Sequence, residues 1–382
     1  MPEPVVLILG CGVAGVAAAR EARRLLPASH RVIVIDRDAD ASYPPSYPWV
    51  VTGERRPEAI KRRRVQLGRR GIEFVNADVR QIDVANRYVR AESREFRYDY
   101  LVLALGAEPA IEAVPGLAET AHGFHSLESA ERLAATLRYF SGGRVVIAVT
   151  GQPFKNPTVP YEAAMLLEHH FHARRMRQKV EIAVYTPETL PLEFMGPDNG
   201  ELVTGLLAHK GVEFHANTTL VSIDPARREA TFDDGAVSPF QLLIAAPRLQ
   251  SPALLREAGL IDETGWVSVS PRSMETTFED VFAAGDLTYL QLPNGEPLPK
   301  AGIFAERQAQ TAARNIAYRI KGGSPPLPFD PSGRIFIEVG AGAASMAEGD
   351  FSSPHPVQLR QPSIVWHMAK LTLERSWLWR TY

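Results

Sequence analysis

The sequence has 382 residues, of which 45% are apolar and 23% charged, and its formal net charge is −2. This is the balance of an ordinary globular chain with room for two or three domains, and so small a charge gives no electrostatic case for a nucleic-acid partner. A single cysteine, Cys11, excludes an intramolecular disulfide; with no apolar run of about 18 residues and no signal peptide at the start, a cytoplasmic address is expected.

The chain opens with a strand over 5–9, a glycine turn (Gly10, Gly12, Gly15), a helix over 16–26 and a second strand over 31–35 that ends in Asp36. Glycines spaced G-x-G-x-x-G between a strand and a helix form the dinucleotide fingerprint. Gly10 permits the tight turn, Gly12 lets the backbone approach a pyrophosphate, and Gly15 lets the helix pack close to the strand. The helix start, with Val13 and Ala14, offers free N–H groups and the positive end of its dipole to the phosphates. Asp36 is placed to accept hydrogen bonds from a ribose diol, with Arg37 beside it. A bound dinucleotide accounts for the acid as well as for the glycines.

Residues 41–53 contain Tyr43, Pro44, Pro45, Tyr47, Pro48 and Trp49, too much proline for regular helix. They predict a shaped loop that runs over the cofactor, with Trp49 among its contacts. Residues 57–70 predict a helix with a solvated basic face of Lys61, Arg62, Arg63, Arg64, Arg69 and Arg70; a surface for anionic lipid or substrate is the alternative. Short strands follow over 72–74 and 78–83, with Val79 where a backbone group meets an adenine, and 88–96 predicts an antiparallel meander. Residues 98–107 form a continuous apolar run that ends in a small-residue turn with Ala104 and Gly106, as in a parallel sheet covered on both faces.

A helix over 126–139 leads to a second βαβ unit: strand 144–149, loop 150–160, helix 161–174 and strand 180–185. This is a degenerate internal repeat. Its turn, Gly151 to Pro160, has three prolines in place of the glycine pattern, so a nicotinamide dinucleotide is not expected to bind there in the usual way. Next come a helix over 202–209, hairpin strands over 212–234 with an Asp234-Gly235 turn, and a buried strand over 240–246. A late short strand ends in Gly285-Asp286 and delivers a carboxylate to a second stretch of cofactor. Pro299-Lys300-Ala301-Gly302 leads into a helix over 303–320, and 334–343 predicts one or two strands. Residues 363–379 predict an amphipathic helix with Trp366, Met368, Leu371, Trp377, Leu378 and Trp379. His169 and His172 share a helix face, but only Glu168 stands near them, so no metal site is expected.

Three motifs carry a family resemblance: G-x-G-x-x-G at the start, Y-D-Y-L-V-x-A-x-G in the middle and T-x-x-x-x-V-F-A-A-G-D late. Together they resemble the two-dinucleotide-domain flavoproteins, in which the first domain holds FAD and the second NAD(P). The resemblance implies an α/β fold of two Rossmann-like, doubly wound domains with a short C-terminal cap. Residues 1–112 and 249–328 would form the FAD-binding domain, 113–248 the second domain with its degenerate nucleotide loop, and 329–382 the cap. It also implies that Asp286 bonds the ribityl chain of FAD.

Within that group the chain resembles sulfide:quinone oxidoreductases and the flavoprotein subunit of flavocytochrome c sulfide dehydrogenase. The carrying stretches are Pro48-Trp49-Val50-Val51-Thr52-Gly53, Pro160-Tyr161-Glu162-Ala163-Ala164, Pro299-Lys300-Ala301-Gly302 and residues 336–342. The family oxidises sulfide through a pair of cysteines at the flavin. Here Asn156 stands at one position, and no cysteine lies near 336–338 for the other. The resemblance thus implies a FAD-dependent oxidoreductase that passes electrons from a small reductant to a quinone without a cysteine relay. The alternatives are an NAD(P)H:quinone dehydrogenase and a non-catalytic flavoprotein subunit or sensor. Lys300, with the helix that begins near Gly302, would stabilise negative charge near N1 and O2 of reduced flavin. Glu162 and Glu306 are candidate proton carriers, and Asn156 a hydrogen-bonding group at the flavin edge. Lys370, Arg375 and Arg380 flank the aromatic last helix, which suits peripheral membrane contact, as in the family; packing within the chain or against a second copy in a homodimer is the alternative.

Overall fold

The computed structural model describes residues 3–293, 295–353 and 357–382. Its first sheet has five parallel strands in the order Val281–Ala283, Tyr100–Leu103, Val5–Leu9, Arg31–Asp36 and Glu73–Asn76. Val6 to Leu9 are fully buried, as an apolar run covered on both faces requires. On one face the Val13–Leu25 helix packs along the Gly302–Lys321 helix through small residues, Ala14, Ala18, Ala305, Ala309 and Ala313 among them. The other face is covered by the antiparallel meander Val79–Asp83, Tyr88–Ala91 and Arg94–Arg97 and by Leu255 and Leu260.

The second sheet has four parallel strands in the order Val212–His215, Val180–Tyr185, Gly143–Val149 and Leu242–Ala246. The Val159–Ala173 helix packs on one face, and the meander Leu220–Asp224, Glu229–Phe232, Val237–Pro239 on the other. A three-stranded antiparallel sheet, Ser332–Gly340, Ala343–Asp350 and Arg360–Ser363, closes the molecule and leads into the Ile364–Thr381 helix.

Four expectations change. The segment 41–53 is largely helical: a 3₁₀ turn at Pro44–Ser46 is followed by an α-helix at Tyr47–Thr52. The prolines fall in first turns, where a missing N–H costs no hydrogen bond. Tyr47, Trp49, Val50 and Val51 are buried. The segment 57–70 is not one helix. It splits into a 3₁₀ turn at Pro57–Ile60, a strand at Lys61–Arg63 paired with Asp40–Ser42, and 3₁₀ turns over Arg64–Arg70. Within 212–234, the first strand joins the parallel sheet instead of a hairpin, and Asp234-Gly235 turns between Glu229–Phe232 and Val237–Pro239.

The last helix also differs. Lys370, Glu374, Leu378 and Thr381 face inward, whereas Ile364, Val365, Met368, Leu373 and Trp379 are exposed, Trp379 to 79%. Its polarity is inverted relative to a helix on a water-facing surface. Among the described residues, no helix is long and apolar enough to cross a membrane.

Candidate active site

A cavity of about 1720 Å³ runs from the carboxyl ends of the first sheet, past the 151–160 loop, to the closing sheet. It begins at the glycine turn. Gly10 has φ +93°, and a Cβ there would meet the Ala104 carbonyl oxygen at 2.3 Å; a Cβ on Gly15 would meet the Gly10 oxygen at 1.9 Å. Gly12 has nothing within 4 Å of the same point, so open space lies before the helix start. That helix has no side-chain cap and no acid in its first turn, which leaves its leading N–H groups for an anion. The residues fit the pyrophosphate of a dinucleotide.

Asp36 lines the cavity and is held from two sides. Its Oδ2 accepts the Cys11 N–H at 2.5 Å, and its Oδ1 accepts Arg64 Nη1 at 2.5 Å and the Asp38 N–H at 2.9 Å. Arg64 also donates to the Asp38 carbonyl at 2.6 Å, and its buried Nε has no partner. In the sequence Arg64 is one of six basic residues of an expected surface face; the strand pairing of Lys61–Arg63 turns it inward. Burial pushes the Cys11 thiol up to about 12, so it stays protonated.

At the other end of the turn, Gly285 and Asp286 line the cavity beside Lys300. Lys300 is buried, donates to the Thr288 carbonyl at 2.5 Å and lies 3.9 Å from the Trp266 ring centroid. Burial lowers its pKa to about 8, with Asp286 pulling the other way. The Gly302–Lys321 helix starts next to it, uncapped and without acid in its first turn. Asn156 adopts φ +51° and donates its N–H to the Lys300 carbonyl at 2.9 Å, and its Oδ1 accepts Thr158 Oγ1 at 3.1 Å. The proline-rich loop is thereby stapled to the Lys300 loop and forms a cavity wall. Glu306, one turn into the helix, accepts Gln310 Nε2 at 3.3 Å; burial raises its pKa against Arg20 and Arg307.

A charged chain lies in the wall beyond. Lys370 Nζ donates to Glu162 Oε1 and lies 4.0 Å from Glu338 Oε1. Glu162 Oε1 also accepts the Glu338 N–H at 3.4 Å, and Glu338 Oε2 lies 2.9 Å from His367 Nδ1. Glu162, Glu338 and Lys370 are 2%, 1% and 3% exposed, so these charges are compensated by one another and hardly by water. Glu162 and Lys370 line the cavity; Glu338 and His367 lie behind them. Burial and the Glu162 charge raise the Glu338 pKa against Lys370 and His367.

The matched family model, described as pyridine nucleotide-disulphide oxidoreductase, covers residues 4–315. The chain belongs to that family. As a member it is a FAD-dependent oxidoreductase, and its likeness to sulfide:quinone oxidoreductases is borne out. It is 26% identical over 396 residues to the sulfide-quinone reductase of Aquifex aeolicus, covering 98% of this chain and 90% of that one. It is 23% identical over 399 residues to the demethylphylloquinone reductase of Synechocystis, covering 99% and 96%. The crystal structure of the sulfide:quinone oxidoreductase from Aquifex aeolicus superposes with a TM-score of 0.89 at 25% identity, over 99% of this chain and 91% of that one.

Most expected site residues of this pyridine nucleotide-disulphide oxidoreductase line one cavity: Asn156, Glu162, Lys300 and Glu306, and with them Gly10, Gly12, Val13, Ala14, Asp36, Arg37, Val79, Ala104, Gly106, Gly285, Asp286 and Gly302. Two do not. Gly15 lies beneath the turn, where its role is close packing. Trp49 lies behind the wall instead of over the cofactor, because the helix around it buries into the core. One side of it meets Lys370 Nζ at 4.6 Å from the centroid, Arg55 lies 4.8 Å from it, and His367 meets it edge-on at 5.9 Å. Arg64, Glu338, Lys370 and His367 were not singled out as site residues by the sequence. Glu338 lies in a family-like stretch, but the others carry no local signal. Among the described residues, no group of three His, Cys, Asp or Glu side chains is arranged to hold a metal.

Proposed function

We propose that this flavoprotein transfers two electrons from a small reductant to a quinone without a thiol relay. Bound FAD supplies the two-electron transfer, and the chain supplies the positioning and the protons. The glycine turn and the Val13–Leu25 helix hold the pyrophosphate, Asp36 with Arg64 holds the ribose, and Asp286 holds the ribityl chain. Lys300 and the start of the Gly302–Lys321 helix stabilise negative charge at the pyrimidine end of the ring.

The observation that carries the acceptor assignment is the buried Glu162–Lys370–Glu338 cluster at the cavity wall. Reduction of a quinone to a quinol takes up two protons with its two electrons. Lys370, held by Glu162, brings an ammonium to that wall, and the exposed apolar side of the last helix lies on the same element. That side, with Arg375 and Arg380 at its edge, supports contact with a membrane surface from which a lipid-soluble quinone enters. The printed names of both relatives, sulfide-quinone reductase and demethylphylloquinone reductase, support the same acceptor class.

Anaerobic titration with sulfide, a small thiol and NADH, watching flavin absorbance, tests the donor. Bleaching by sulfide or thiol is expected, followed by reoxidation with a soluble quinone. Bleaching by NADH alone would establish an NAD(P)H:quinone dehydrogenase instead, and bleaching by none of them a non-catalytic flavoprotein.

A further inference from the structure

We propose that His367 is the outer terminus of a proton relay that runs through Glu338 to Lys370 and Glu162 and refills the cavity wall as the quinone is protonated. The inference rests on the quinone-reducing reading above. His367 does not line the cavity, so it acts through the other groups as a positioning and supply residue.

The geometry is a chain with one end in the cavity and one toward solvent. His367 and Lys370 stand one helical turn apart on one helix face. Glu338 reaches between them from the Ser332–Gly340 strand, and Glu162 comes from the Val159–Ala173 helix. His367 is the most exposed of the four side chains, at 16%, whereas Lys370, Glu162 and Glu338 are at 4%, 3% and 1%. Nδ1 of His367 is 2.9 Å from Glu338 Oε2, and the other Glu338 oxygen is 4.0 Å from Lys370 Nζ with no hydrogen-bond partner.

A static structural ion pair has no use for this arrangement. Two buried carboxylates share one ammonium, which leaves one negative charge for His367 or a bound proton to offset. The Glu338 oxygen that faces Lys370 at 4.0 Å without a hydrogen bond would be costly in a purely structural network. In a relay it is the position the Lys370 ammonium reaches when it turns from Glu162. The surroundings hold few competing charges. From the Tyr47–Thr52 helix the neighbour is the Trp49 ring; beyond it Arg55 is tied to Glu374 at 3.1 Å, and Arg360 from the closing sheet lies over Trp366. The charged partners of His367 are therefore Glu338 and, behind it, Lys370 and Glu162. Burial holds the Glu338 carboxyl above its usual range, which suits a group that carries a proton in transit.

The balance is simple. A bound reduced flavin would give the quinone two electrons and the proton it loses on reoxidation, and the wall supplies the second proton. The proton lost by Lys370 is replaced from the Glu338 carboxyl. Glu338 is reprotonated through His367, and His367 from bulk solvent.

His367→Gln, which keeps a hydrogen bond to Glu338 but cannot pass a proton through a ring, and His367→Ala test this in the FAD-loaded protein. Reoxidation by a soluble quinone should slow about tenfold or more, whereas reoxidation by ferricyanide, which needs no proton, should stay within twofold. Imidazole in solution should restore His367→Ala. Infrared titration of the resting protein should show the buried carboxylic band moving in His367→Gln, a readout independent of turnover. Unchanged quinone rates in both variants would overturn the relay. If wild-type protein does not reduce quinone, the functional reading fails by itself. The relay is then judged by proton uptake on photoreduction of the flavin, followed with an indicator dye: slower uptake in His367→Gln sustains it, and equal uptake overturns it.

Discussion

At Lys300 one buried ammonium sets both a stability slope and a site charge. Its pKa in the folded chain is about 8, against an ordinary 10.5. Between those values the unfolded chain binds more protons than the folded one, so stability rises with pH across that window and the full penalty is present below it. The group should add about 3 kcal/mol to the FAD-free protein between pH 8 and 10.5. Denaturant melts across that range should show the slope in wild type and lose it in Lys300→Met. The same substitution should lower the flavin midpoint potential by about 30 mV, equivalent to about 1.4 kcal/mol for two electrons. An unchanged potential would remove Lys300 from the site. Lys370 makes the complementary case. Lys370→Met strands two carboxylates and should destabilise the protein by about 3–5 kcal/mol in chemical denaturation, and Glu162→Gln added to it should recover part of the loss.

At the scale of elements, the last helix and the 41–70 region show what local pattern misses. The Ile364–Thr381 helix reads as amphipathic from its apolar residues, yet its inward side is the one with Lys370 and Glu374, which bind Glu162, Ser46 and Arg55. The apolar residues left outside suit a lipid interface better than water. Met368→Ser with Trp379→Ser should reduce co-sedimentation with anionic liposomes at least about tenfold, while the melting temperature stays unchanged because both side chains are exposed. Liposome binding equal to wild type would reassign the face. In 41–70, proline density and basic composition misled the reading for one reason. Both are local signals, and both were overridden by long-range partners: core burial for Tyr47–Val51 and the Asp36 carboxylate for Arg64.

At the scale of the whole molecule, the first sheet draws strands from both ends of the chain. Val281–Ala283 pairs with Tyr100–Leu103, and the Gly302–Lys321 helix covers the Val13–Leu25 helix. A fragment of residues 1–112 leaves that apolar helix surface uncovered. It should show no cooperative thermal unfolding, whereas residues 1–112 joined by a flexible linker to 249–328 should unfold cooperatively and gain stability with FAD. Calorimetry of the two fragments checks this. Cooperative melting of 1–112 alone would disprove the split-domain organisation.

What the sequence determined by itself is what short spacing encodes. The glycine turn, its flanking strands and Asp36 are close along the chain, and glycines at 10 and 15 are demanded by backbone contacts within that same unit, apart from Ala104. Gly285-Asp286 and Lys300 were marked by the family resemblance, and they line the same cavity as the glycine turn. Only the tertiary structure decided which charges are buried and with whom. Glu162, Glu338, His367 and Lys370 come from three separate elements, and no periodicity ties them together. A buried charge is tolerated only where the fold brings its partner, so its place is a property of the whole packing and cannot be read from the residues beside it.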